Sequence, residues 1–180
     1  MIKNIRAVSR MFVHSIANGD MYAKSFIGIL PKYKYAHLIS INGIDEPTLT
    51  DEQIEKLIKH NIHIENSYVF DDINYYNLSE DDKEYIAKKG YIICDAKMAK
   101  GLADDISNFM VSDADLLVVH CHAGISRSGA TAAVAAFLAG WKCNDFVMNN
   151  KHIYPNKYIA DLILKELGLD VDDFDKWLKS

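Results

Sequence analysis

The chain has 180 residues, 49% of them hydrophobic and 25% charged, with 9 Gly and 3 Pro. That composition excludes disorder, collagen and mucin-like stalks, and the length suits a single domain (1–180) with a buried core of its own. A net charge of −5 excludes a global basic field for a nucleic-acid backbone, leaving room only for a local basic pocket.

The N-terminus, MIKNIRAVSRMFVHS, mixes Lys3, Arg6 and Arg10 with short apolar pieces and lacks the continuous apolar stretch of a secretion signal. Lys34 to Ile41 is a β-forming run, stopped by the turn pair Asn42-Gly43. Thr50 to Gln53 reads as a capping box, after which Ile54, Leu57 and Ile58 keep helical spacing to about His60. Ser67 to Phe70 predicts a short strand, ended by Asp71-Asp72, and Ser79 to Asp82 predicts a helix start. From Lys97 to Val111, Met98, Leu102, Ile106 and Phe109 mark an amphipathic helix. Leu116 to His120 is the kind of apolar run found in a buried central strand, and Ala130 to Gly140 is an Ala-rich helix. Helices are predicted at 144–151, 156–167 and 170–178. Strands early and helices late predict an α/β fold: three layers, with a central mixed sheet flanked by helices.

Cys94, Cys121 and Cys143 are widely spread and form no CxxC, which argues against a disulfide framework or a thiolate zinc cage. The longest nearly apolar run, Ala130 to Trp141, is too short to span a bilayer. The expectation is a cytoplasmic protein with no membrane segment, no metal and no cofactor. His60 and His63 stand at i and i+3, but no third ligand is placed, so they read as solvated helix-end residues.

The informative stretch is His120-Cys121-His122-Ala123-Gly124-Ile125-Ser126-Arg127-Ser128. A strand delivers a cysteine, five residues follow, and an arginine opens a helix. Ligand sites of α/β sheets favour that edge. The backbone N–H groups of such a loop can converge on one anion, reinforced by the helix dipole. Gly124 permits a conformation that a side chain would hinder, and Arg127 offers a planar fork for two oxygens of a tetrahedral oxyanion. The same positive field favours a thiolate at Cys121. Thiolate, cradle and fork suit nucleophilic attack on phosphorus.

His-Cys-x5-Arg-Ser, His120 through Ser128, resembles the signature of the cysteine-dependent protein tyrosine and dual-specificity phosphatases, in a form similar to compact bacterial and phage members. The likeness is strongest over Leu116–Ala136 and weaker over Tyr68–Leu167; the first fifty residues match only as a loose α/β lead-in. The resemblance implies that Cys121 is the nucleophile and forms a phosphocysteine intermediate. It implies that Arg127 and the amides of His122, Ala123, Gly124, Ile125 and Ser126 bind the phosphoryl oxygens. Ser128 matches the hydroxyl that steadies the departing thiolate, and His120 and Asn156 match residues that support the loop. The family also needs a carboxylic acid on a separate loop. Asp72 is the first choice, because Phe-x-Asp at a strand end resembles the acid loop. It implies an insertion over residues 74–95, so Asp71, Asp82 and Asp95 stay open.

The substrate implied is a phosphorylated protein or peptide carrying phosphotyrosine, with phosphoserine and phosphothreonine as further candidates. A phosphoinositide is less suited, because lipid-directed relatives carry lysines within the loop and His122 to Ser126 contain none. RNA 5′ ends call for basic surface, and no nucleic-acid partner is expected of an acidic chain. A phosphopeptide-binding module would typically have lost Cys121 or Arg127. A rhodanese-like sulfurtransferase also sets a cysteine over an anion nest, but the Arg-Ser helix start favours the phosphatase reading.

Overall fold

A computed structural model describes residues 3–19 and 32–180. Four strands, β1 (Asn4–Ser9), β2 (Ala36–Asn42), β3 (Ile62–Val69) and β4 (Leu116–Cys121), form one sheet in the order β1-β4-β2-β3. The α/β class is as predicted, and the sheet is more uniform than a mixed one: every pairing among the described strands is parallel. The reason is connectivity. Each link between successive strands carries at least one helix, which returns the chain to the starting edge.

Helix α1 (Arg10–Asn18) follows β1 directly, and α2 (Asp51–Ile58) joins β2 to β3. A single 3-10 turn, α3 (Glu80–Lys89) and α4 (Ala96–Val111) lead to β4, and α5 (Arg127–Leu138), α6 (Cys143–Asn149), α7 (Lys157–Glu166) and α8 (Val171–Leu178) complete the chain. The capping box read at Thr50 forms, and the helix start read at Ser79 is a capping box as well, with Asp82 reaching back to Ser79.

The period-2 alternation of the strands builds a core on each face of the sheet. Leu38, Leu116 and Val118 point to one side, against Phe12, Val13 and Ile16 of α1 and Leu57 of α2. Ile39, Ile41, Leu117, Val119 and Cys121 point to the other, under α4, α5 and α7. Residues Arg127 to Ala136 of α5 are all buried, and their alanines let the helix lie close over β4 and β1. These are the three predicted layers. Among the described residues no helix is long and apolar enough to cross a membrane.

Two parts of the sequence read less clearly. The loose lead-in contains β1 and α1 in full, while its residues 20–31 lie outside those described. Strand β3 begins at Ile62 rather than Ser67; it is an edge strand, so His63, Glu65 and Asn66 need not be buried and disguise it. Parallel strands also bring all four C-terminal ends to one edge. Ser9 is in register with Cys121, and the segments after β2 and β3 emerge beside them.

Candidate active site

Strand β4 carries Cys121 to that edge, 2% exposed, with Sγ 3.1 Å from Ser128 Oγ on the first turn of α5. The loop between them is pinned through its carbonyls. Arg10 N donates to His122 O (3.2 Å), Tyr154 N to Ile125 O (3.1 Å) and Asn156 N to Ser126 O (3.3 Å). Its amides are treated in the opposite way. Among the described residues, the N–H groups of Ala123 to Arg127 have no hydrogen-bond acceptor. Ser126 stands at the N-cap of α5 but makes no capping bond; its hydroxyl donates to Asp72 Oδ1 at 2.7 Å. The helix terminus is therefore left with donors to offer, which is the condition for an anion nest.

Gly124 is required by contact as well as by conformation. Its φ is +77°, and a Cβ there would lie 2.5 Å from both Ser9 N and Val8 C, backbone atoms of the β1 end. Gly124→Ala is expected to destabilise the protein by about 1–3 kcal/mol, the usual cost of such strain, and to displace the loop. Urea denaturation checks the first effect; an unchanged midpoint would mean that the loop does not press on β1.

Arg127 is 4% exposed and held at both prongs. Nη1 donates to Phe70 O and Nη2 to Glu46 Oε1, each at 2.9 Å. Two of its five N–H donors are thus used, and three remain, Nε among them. Glu46 is in turn fixed by Gly43 N, which donates to Oε2 at 2.7 Å. Burial pushes the Glu46 carboxyl up, but the hydrogen bonds from Arg127 and Gly43 and the Arg127 charge outweigh it, so it titrates below the ordinary range. Sequence reasoning missed Glu46. The available signal was an acidic residue just after a strand at the edge where Arg127 was expected.

Of the four candidate acids, only Asp72 lines the cleft over Cys121. Its Oδ1 accepts from Ser126 Oγ and from Asn156 Nδ2 (2.9 Å), and Oδ2 has no partner among the described residues. The other three have different tasks. Asp71 accepts from Ile44 N and Ile92 N, tying two loops together; Asp82 closes the capping box of α3; Asp95 caps α4 through Met98 N. Asp71 N donates to Ile92 O at 2.7 Å, so the segment carrying α3 closes on itself. Asn156 holds Asp72 through Nδ2, a contact the sequence did not suggest, and caps α7 through Oδ1, which accepts from Ile159 N.

His120 is fully buried and points to the opposite face of the sheet from Cys121, toward α1. Burial, with the charges of His14 and Arg10, pushes its imidazole down to about 4, so it is neutral at neutral pH. His122 is exposed, with Nδ1 3.5 Å from Glu46 Oε1.

The cleft itself has a volume of about 350 Å3, floored by Cys121 and rimmed by Glu46, Asp72, His122, Ile125 and Ser126. Among the described residues no His, Cys, Asp and Glu cluster is suited to hold a metal. Chemically, the arrangement can present a sulfur nucleophile, a ring of N–H donors, a guanidinium and one carboxyl group to a small oxyanion. Compared with protein-family models and with curated proteins, the chain matches none.

Proposed function

We propose that the chain is a phosphomonoester hydrolase that removes phosphate from phosphotyrosine residues of proteins, with phosphoserine and phosphothreonine as further substrates, through a phosphocysteine intermediate. The observation that carries this reading is the pairing of a buried thiol with five loop amides that have no acceptor, beside Arg127.

The chemistry proceeds in two displacements. The Cys121 thiolate attacks phosphorus, forming the S–P bond as the ester P–O bond breaks. Asp72 gives its proton to the departing oxygen, which leaves as an alcohol or phenol. A water molecule then attacks the phosphocysteine and passes its proton to the Asp72 carboxylate. The S–P bond breaks, inorganic phosphate leaves, and the thiolate is received by the Ser128 hydroxyl at 3.1 Å. In both transition states the equatorial oxygens gather charge, which the amides of Ala123 to Arg127 and the spare donors of Arg127 are suited to stabilise. Hydrogen bonds from Ser126 and Asn156 aim Asp72, leaving Oδ2 for the proton.

The acid assignment is tested by leaving-group dependence. Asp72→Asn is expected to slow a phosphotyrosine peptide on the order of 10²- to 10⁴-fold, the range of general acid catalysis, and an aryl phosphate of a very acidic phenol far less. Asp71→Asn, Asp82→Asn and Asp95→Asn should slow the two substrates alike or not at all. If Asp95→Asn shows the leaving-group effect and Asp72→Asn does not, the acid is Asp95.

A further inference from the structure

Beside the phosphate cleft lies a larger one, of about 590 Å3. The two share Ala123 and Ile125, and the second continues past Gly124 to edge strand β1 and the turn after α6. Asp72 and Glu46 line only the first. The charged groups of the second are Arg6 and Lys151, beside the imidazole of His152, and no carboxylate side chain lines it among the described residues. In a chain of net charge −5, that is a local reversal of sign.

The charge is not neutralised internally. Arg6 donates Nη1 to Ile5 O (3.1 Å) and Nη2 to Asn149 Oδ1 (2.9 Å), both uncharged acceptors. Among the described residues, neither cation has a carboxylate partner. The wall that carries Lys151 and His152 is firmly built. Asn150, 3% exposed, accepts from Ala7 N at 2.7 Å and donates to Ile5 O at 3.2 Å, so it occupies the outer edge of β1 as a neighbouring strand would. His152 is held at φ +71°, a conformation costly for a residue with a Cβ. Phe12, Ile125 and Met148 add apolar surface. A polypeptide leaving the phosphate cleft over Ala123 and Ile125 enters this space, and the cation pattern there rewards carboxylates and repels lysines.

We propose that this second cleft takes the polypeptide flanking the phosphorylated residue and selects acidic side chains there. The proposal rests on the phosphatase reading and names the substrate class for that site. It is tested with two phosphotyrosine peptides that differ only in carrying Glu or Lys on both flanks, and with an aryl phosphate that has no flank. Wild-type protein is expected to prefer the Glu peptide about tenfold or more in kcat/KM, and Lys151→Glu, a change at an exposed residue, to remove that preference. The aryl phosphate reports the chemical step separately. No preference in the wild type, or an equal loss on all three substrates in Lys151→Glu, overturns the proposal. A binding arm does not need turnover: Cys121→Ser protein and fluorescein-labelled peptides, read by polarisation, should give the same order. Absence of that order overturns the subsite. A preserved order with no turnover of any substrate by wild-type protein overturns the phosphatase reading and leaves the subsite standing.

Discussion

Cys121→Ser is expected to abolish phosphate release, by on the order of 10⁵-fold or more, while leaving the fold intact. Losses of that size follow removal of a covalent nucleophile, because a serine hydroxyl in the same position keeps its proton at neutral pH. The fold should survive because the side chain is nearly isosteric and Ser128 Oγ, 3.1 Å from the sulfur, can hydrogen-bond a hydroxyl. Alkylation gives an independent reading. Iodoacetate should label Cys121 first, since it floors an open cleft, and inorganic phosphate should protect it. Cys94 is pushed up to about 12 by burial and the charge of Asp95, and burial also pushes Cys143 up, so both remain protonated and slow. Appreciable turnover by Cys121→Ser would remove the covalent mechanism, and equal labelling of the three thiols would remove the premise.

The second large effect is at Arg127. Arg127→Lys keeps the charge but has one nitrogen where Arg127 uses two, on Phe70 O and Glu46 Oε1, before offering any donor to phosphate. The lysine is expected to stay with Glu46 and leave the trigonal-bipyramidal transition state short of donors. We expect kcat to fall on the order of 10²- to 10³-fold, the loss seen when one oxyanion donor is removed, with a smaller rise in KM. A near-wild-type kcat would show that Arg127 serves only to tie Phe70 and Glu46 together.

Several features were legible because they are local. The apolar run ending in Cys121, the loop length, Gly124 and the start of α5 all lie within one strand–loop–helix unit, where side-chain type and spacing carry the information. The capping box of α2 and the helix start at Ser79 were legible for the same reason: each is closed by residues three apart. Strands β1 and β3 were obscured because both are edge strands, half-buried, with polar residues where a central strand would be apolar.

What the sequence by itself determined is the α/β class and the strand–loop–helix holding Cys121, Arg127 and Ser128, because each of these is encoded within a short span of chain. Tertiary structure alone decided the parallel sense of all four described strands, which gathers distant loops at one edge. It brought Glu46 to Arg127 and Asp72 to Asn156, pairs far apart in the chain whose meeting depends on strand order rather than spacing. It also separated Asp72 from Asp71, Asp82 and Asp95. Those four carboxylates are chemically equivalent as residues, and they differ only in what the fold gives them to hold: loop amides for Asp71, helix caps for Asp82 and Asp95, and the cleft over Cys121 for Asp72.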